Sequence, residues 1–520
     1  MSKILWVDDE IDLLKSNIMF LKQKGYDVEE AANGEDAVNM IEKSDYDLVF
    51  MDEMMPGMGG LETLLKIKDV KPALPVVMVT KNETESLMEN AIGKKISDYL
   101  LKPVNPGQLL LVCKKLLDSR KIEGDQLSRD YIQEFNQTSM ALMENPDWRD
   151  WIELYTKVTN RELELDEHPQ LGLKQTLTDQ KKEFNVEFGK YIEKNYKDWV
   201  NTEDINNKPV LSNQIMEKYV FPELDKYKSV FFFLVDCMRL DQWLEMEKYL
   251  HQYFRISKDY YYSLLPTATP YSRNAIFAGL YPSELEKHYP NLWKQDDDNE
   301  NSKNNFEREF LAKLLERKRI KLRNEFRYTK IMDSEFSRGI ESKIPSYLNN
   351  HLNTIVINFL DMMVHSRSDY AILKEIAPDD SAFRSLTTSW FEHSSFFGML
   401  RQLANKPDVK VIITTDHGSI RCLHGVKAFG DRESSPNLRY KYGRNVKAEP
   451  KHSMLITKPT DYRLPVRNGM VNYIIAKEDF YFVYPTDYHK YLNQYNDTFQ
   501  HGGISLEEMI LPVISLESKT

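Results

Sequence analysis

The run Val230-Phe-Phe-Phe-Leu-Val-Asp236 predicts a strand buried on both faces and ending in a carboxylate. Two later runs repeat the pattern, Thr354-Ile-Val-Ile-Asn-Phe-Leu-Asp361 and Val409-Lys-Val-Ile-Ile-Thr-Thr-Asp416. Strands this apolar belong in a parallel or mostly parallel sheet. Ligands of such sheets bind beyond the carboxyl ends of the strands. His365 follows Asp361 by four residues, and His417 directly follows Asp416. Three carboxylates and two imidazoles would meet at one sheet edge. That donor set suits divalent metals, and its size suits two ions rather than one.

Strands and helices also alternate from Lys3 to about Lys115, predicting a doubly wound parallel sheet. Ile4–Val7 ends at Asp8 and Asp9, Asp47–Met51 at Asp52, and Pro75–Val79 at Thr80, while Ser97–Leu101 precedes Lys102-Pro103. Ile11–Gly25 and Gly34–Ser44 read as helices. Asp8 and Asp9 can hold Mg²⁺, which prefers carboxylates and keeps waters. Asp52 would complete the site and attack a phosphoryl donor. The Met54 carbonyl can add an oxygen ligand. Lys102 can pair with a phosphoryl oxygen, Thr80 can hydrogen-bond to it, and Tyr99 is placed to swing as Thr80 relocates. With Met55-Pro56-Gly57 and Gly60, this set resembles the flavodoxin-like receiver domain of two-component response regulators. Lys81 departs from it, since a small residue is common after the switch threonine.

The 520 residues predict several domains, here 1–120, 121–227 and 228–520. A net charge of −11 argues against binding nucleic acid through a broad basic surface. The three cysteines, Cys113, Cys237 and Cys422, show no metal-finger spacing and fit a reducing compartment. The sequence starts on a strand and has no apolar run of membrane-spanning length, so a cytoplasmic protein without membrane insertion is expected. Residues 121–227 read as a helical bundle with helices at Ser128–Glu144, Asp147–Asn160 and Thr178–Trp199. Trp148, Trp151, Tyr155 and Trp199 would be its core. Lys294–Asn305 reads as a solvated acidic loop, and Arg317–Arg327 as the polar face of a helix.

In the last domain a helix is expected from Leu240. The loop Pro266-Thr-Ala-Thr-Pro270 offers Thr267 and Thr269 at a loop-to-helix junction, where a metal can activate a hydroxyl. His501-Gly-Gly503 suits close packing around a ligand. Together with Asp236-Cys-Met-Arg239, Ser272-Arg-Asn274 and His501-Gly-Gly-Ile-Ser-Leu-Glu-Glu508, these segments resemble the PglZ-type branch of the alkaline phosphatase superfamily. The resemblance implies two metals, commonly zinc. Asp236, Thr269, Asp416 and His417 would hold one, and Asp361, His365 and His501 the other. It favours Thr269 over Thr267 as nucleophile, with Gly279 ten residues on. Arg273 and Asn274 would bind phosphate oxygens. Only Arg273 is available as the further cation that monoesterases add, so the substrate leans towards phosphodiesters such as nucleotides or oligonucleotides. His424, His393 and His452 are not needed for the metals.

Receiver, bundle and PglZ-type domain in this order resemble the PorX-type response regulators of type IX secretion. That implies a PorY-like sensor histidine kinase, a homodimer on phosphorylation, and contacts with an extracytoplasmic-function sigma factor or type IX secretion components. In the competing reading the C-terminal domain is mainly a protein-binding module with structural metals.

Overall fold

The computed structural model describes residues 2–81, 96–204, 206–293, 305–430, 437–466, 471–486 and 488–519. They form two compact units, Met1–Phe135 and Asn136–Thr520. All but the last residue of the predicted acidic loop Lys294–Asn305 lies outside the described residues.

The first unit is a five-stranded parallel sheet of β1 (Lys3–Val7), β2 (Asp27–Ala31), β3 (Leu48–Asp52), β4 (Val76–Thr80) and β5 (Asp98–Leu101), in the order β2-β1-β3-β4-β5. Side chains alternate between its faces. Ile4, Trp6, Phe50 and Val77 pack with Leu109 and Cys113 on one face. Leu5, Val7, Val49 and Met51 pack with Ile41, Leu64 and Ile67 on the other. The covering helices are α1 (Lys15–Gln23), α2 (Gly34–Lys43), α3 (Gly60–Val70) and α4 (Pro106–Cys113). Both layers match the doubly wound expectation. The first expected helix opens as a 3₁₀ turn, Ile11–Leu14, and Gly25 closes its exit with φ +95°.

The division between units falls inside α5 (Ser119–Met143). In the second unit, α6 (Trp148–Glu167) starts at the expected Asp147, which accepts from the Arg149 and Asp150 amides in a capping box. Helix α7 covers Lys174–Asn201. Trp151, Tyr155 and Trp199 are buried. Trp151 packs on Phe188 at 5.3 Å between ring centroids, and Trp199 on Tyr262 at 5.2 Å. Trp148 is half-buried beneath the Arg149 guanidinium. Tyr262 belongs to the large sheet, so these helices pack on each other and also against that sheet.

That sheet has six strands: β6 (Ser229–Val235), β7 (Phe254–Tyr262), β8 (Arg327–Ile331), β9 (Leu352–Ile357), β10 (Val409–Thr414) and β11 (Ile510–Ser518), ordered β7-β11-β10-β6-β9-β8. The four strands β10, β6, β9 and β8 run parallel, and β11 and β7 extend the sheet antiparallel. Every residue of β6, β9 and β10 is buried, as the apolar runs predicted. Phe231, Phe233, Trp243 of α8 (Leu240–Leu250), Phe396 and Leu400 anchor one face, each such side chain contributing about 1.5–3 kcal/mol on burial.

Two expectations need correction. Strand β9 ends at Ile357, and Asp361 lies instead in the first turn of α11 (Phe359–Asp369). Asn358 and Phe359 already leave the ladder, and helical spacing then puts Asp361 and His365 on one face. The basic run Arg317–Arg327 is not a helix face. Helix α10 (Glu307–Arg317) stops at its first residue and β8 begins at its last.

Candidate metal centres and active site

In the first unit, Asp8 and Asp52 are buried beside exposed Asp9, and ligand atoms of all three lie within 4.8 Å of one another. The Lys102 ammonium sits 2.7 Å from Asp8 Oδ2 and 3.0 Å from Asp52 Oδ1. Burial raises the Asp52 carboxyl above its ordinary range against the pull of Lys102, with Asp8 and Asp9 adding repulsion. A cation between these carboxylates would relieve that cost, so the donors fit Mg²⁺. Gly60 is required here, since a Cβ would lie 2.1 Å from the Asp52 carbonyl oxygen. The Thr80 hydroxyl donates to the Glu53 carboxylate, an interaction the sequence did not signal. Tyr99 is 41% exposed on β5, and the Met54 side chain points to solvent.

In the second unit, the strand ends gather two triads. Asp236, Asp416 and His417 form one, all buried, and Asp361, His365 and His501 the other; within each, ligand atoms lie within 4.8 Å. His417 Nε2 is 3.7 Å from both Asp236 Oδ1 and Asp416 Oδ2. Asp361 Oδ1 lies 3.4 Å from His365 Nε2 and 3.5 Å from His501 Nε2. The His417 and His501 rings stack at 4.2 Å, so the triads share a wall.

Local backbone explains this convergence. Cys237, after Asp236, has φ +64°, a left-handed turn that costs a non-glycine residue about 1 kcal/mol. The turn brings the Cys237 amide, with that of His417, onto Asp416 Oδ1. His417 Nδ1 lies 3.1 Å from the Gly418 carbonyl. Donation there leaves Nε2 as the nitrogen available to a metal. Nε2 is 3.0 Å from Thr269 Oγ1, close to the roughly 3.3 Å between two ligands of one tetrahedral zinc at 2.0 Å.

The two threonines separate cleanly. Thr267 Oγ1 donates to the Gly503 carbonyl and accepts from the Gly502 amide, so it clamps the His501 loop. Thr269 opens helix α9 (Thr269–Ala278) and faces His417. Gly279 ends that helix at φ +59°.

Arg273 and Asn274 do not take the expected phosphate-facing positions. Arg273 is 2% exposed, and its guanidinium lies 2.8 Å from Asp236, 3.2 Å from Glu307 and 3.3 Å from Asp416. It also donates to Asn358. Helix α9 turns this side chain back under Asp236 and Asp416, where it neutralises part of their charge. Asn274 is fully buried and donates to Pro270 O one helical turn back. Glu307 and Asn358 escaped the sequence reading because nothing local marks them. His424 is half-exposed and faces Asp479, outside both triads.

The donors fit divalent metal. Asp236 Oδ1, Asp361 Oδ1 and Asp416 Oδ2 are buried and accept no hydrogen bond. Burial pushes Asp236 and Asp416 upward against Arg273, and neighbouring carboxylates add to the rise. Asp361 is held low despite its burial, by His365 and then His501 and His417. Two like charges 4 Å apart repel by about 4 kcal/mol near a protein surface. One guanidinium cannot offset three such carboxylates.

Comparisons with known proteins identify the domains that carry these sites. The family model of the BREX system PglZ alkaline phosphatase-like domain matches residues 215–516, that of the response regulator receiver domain residues 4–114, and that of the PorX response regulator linker domain residues 121–200. The transcriptional regulatory protein ResD of Bacillus subtilis is 35% identical over 116 residues, 22% of this chain and 48% of ResD. A CpxR homolog of Haemophilus influenzae is 35% identical over 138 residues, 26% of this chain and 59% of that protein. This chain thus spans about half the length of these curated relatives. A CheY-like receiver domain protein from Methanospirillum hungatei is 32% identical, covering 24% of this chain and 98% of its own, with a TM-score of 0.23. Among the described residues no helix is long and apolar enough to cross a membrane. The chain belongs to the PorX-type response regulators, a receiver domain joined through a linker domain to a PglZ alkaline phosphatase-like domain.

Proposed function

We propose that this response regulator dimerises when Asp52 is phosphorylated and thereby controls a two-zinc phosphodiesterase in its second unit. The observation that carries this reading is the 3.0 Å approach of Thr269 Oγ1 to His417 Nε2 beside two carboxylate–histidine triads. Asp236, Asp416, His417 and Thr269 would hold one ion, and Asp361, His365 and His501 the other. When bound, the ions supply Lewis-acid activation of the hydroxyl and neutralisation of phosphate charge. Thr269 Oγ1 attacks phosphorus in line and loses its proton to solvent. The new O–P bond forms as the ester P–O bond breaks, and the leaving alkoxide is protonated. Water then cleaves the phosphothreonine or nucleotidyl-threonine and restores the hydroxyl.

Arg273, the one cation that the sequence offered for a dianionic monoester, is engaged by Asp236, Asp416 and Glu307. This favours phosphodiesters, with nucleotides or oligonucleotides as the substrate class. In the receiver, Asp8, Asp9, Asp52 and the Met54 carbonyl would hold Mg²⁺. The phosphoryl donor is a sensor histidine kinase of the PorY-like kind. The output regulates type IX secretion from the cytoplasm, through an extracytoplasmic-function sigma factor or components of the secretion machinery.

The test is a screen of cyclic and linear oligonucleotides with zinc-reconstituted protein, with and without beryllofluoride. Turnover that changes together with a beryllofluoride-induced dimer by light scattering supports the reading. Zinc-loaded protein that cleaves no phosphodiester overturns the enzymatic part. A mass that beryllofluoride leaves equal to that of Asp52→Ala overturns the switch.

A further inference from the structure

Helix α7 lies outside the stretch 215–516 that matches the PglZ domain, yet two of its buried side chains reach the catalytic segments. Asn185 is 5% exposed and uses both ends of its amide. Its Nδ2 donates to Glu507 Oε2 at 3.1 Å, and its Oδ1 accepts from the Leu506 amide at 2.8 Å. The turn it holds packs directly on Gly418, whose amide donates to the Glu508 carbonyl at 3.3 Å. A Cβ on Gly418 would stand 1.9 Å from the Glu507 carbonyl oxygen. The Gly418 carbonyl is in turn the partner of His417 Nδ1. Asn185 therefore acts on the His417 ring through two backbone segments.

Eleven residues on, Tyr196 does the same for the nucleophile. Its buried hydroxyl accepts from the Leu265 amide at 2.8 Å. Leu265 is itself buried and leads into Pro266-Thr267-Ala268-Thr269. Eleven residues are close to three helical turns, so Asn185 and Tyr196 share one stripe of α7, about 16 Å apart.

We propose that α7 is a splint of the catalytic centre. Asn185 and Tyr196 are positioning residues that fix His417 and Thr269 against each other. Two points on one helix, its middle and its last turns, hold the two partners of the 3.0 Å contact. The inference rests on the proposed phosphodiester chemistry for its kinetic readout, and on metal binding for an independent one.

The experiment compares Tyr196→Phe and Asn185→Ala with Gln180→Ala in the full-length zinc protein. Gln180 is a buried residue of the same helix whose hydrogen bond goes to Thr138 instead. Steady-state hydrolysis of bis-p-nitrophenyl phosphate, zinc competition against a chelator, and melting temperature are read for each. For the two splint variants kcat is expected to fall about 10–100-fold at unchanged KM, the effect of misplacing a reacting group by about 1 Å. Asn185→Ala is also expected to weaken zinc binding about 10-fold, as loss of support behind a ligand does. Gln180→Ala should change neither. Wild-type kcat and zinc affinity in both splint variants would overturn the proposal, as would an equal loss in all three that follows the melting temperature. Should wild type hydrolyse no phosphodiester, the proposed function fails, and the zinc competition alone decides whether Asn185 positions His417.

Discussion

Gly418→Ala is expected to damage the candidate metal centre without altering any of its side chains. A methyl group there would meet the Glu507 carbonyl oxygen at 1.9 Å and the Glu507 carbonyl carbon at 3.0 Å, both backbone atoms. No rotamer change relieves such a clash. Restoring an ordinary contact of 3.4 Å opens the two segments by roughly 1.5 Å. Overpacking of this kind costs about 1–3 kcal/mol. The displacement pulls on the Gly418 carbonyl that orients His417, so zinc affinity at the Asp236–Asp416–His417 triad should fall about 10–100-fold. Competition against a chromogenic chelator reads the affinity, and urea denaturation reads the stability. An alanine variant with wild-type zinc affinity and wild-type stability would refute the close packing of these segments and its role in aiming His417.

Other perturbations follow from single contacts. Glu53→Ala releases the Thr80 hydroxyl from its acceptor; a hydrogen bond to a charged group is worth about 1.5 kcal/mol or more, so calorimetry should show roughly tenfold tighter beryllofluoride binding, and unchanged affinity would contradict the latch. Arg384 pairs with Glu162, Asp166 and Asp241 while 3% exposed. Arg384→Met takes one cation from each of these carboxylates, which keep Lys181, Lys174 and Arg239, and should cost about 1–3 kcal/mol by urea denaturation, whereas a loss below about 0.5 kcal/mol would mean that the network is not stabilising. Asp241, though buried, is held well below the ordinary carboxylate range by Arg239 and Arg384. A depressed carboxylate contributes stability above its unfolded value of about 3.9 and loses it as pH falls through the folded value. The second unit should therefore lose this contribution below about pH 4, and a melting temperature that rises on acidification through that range would contradict the assignment.

The strand-end chemistry was legible because an apolar run that stops at a carboxylate marks where a buried strand leaves the core. Asp8, Asp52, Asp236 and Asp416 all emerge from strands where expected. Asp361 was legible as a partner of His365 but not as a helical residue, since Asn358-Phe-Leu360 continues the apolar run while the ladder has already stopped. The resemblance already favoured Thr269 over Thr267, and the coordinates add what each hydroxyl faces, the Gly503 carbonyl for Thr267 and His417 for Thr269. The resemblance made Arg273 a phosphate ligand; only the packed helix shows its guanidinium turned onto Asp236, Asp416 and Glu307. The role of α7 was hidden for a different reason. Its amphipathic pattern marks a buried face but not what covers it, and Asn185 meets Glu507 across 322 residues of sequence.

In the proposed mechanism Thr269 is the nucleophile of a metal phosphodiesterase. The most direct measurement is hydrolysis of bis-p-nitrophenyl phosphate by wild type and Thr269→Ala, each reconstituted with zinc and assayed at equal measured zinc content. Wild type is predicted to turn over, and the alanine variant to lose at least about 100-fold, on the scale of losing a nucleophile. Equal turnover in the two proteins, or none in zinc-replete wild type, would contradict that role for Thr269.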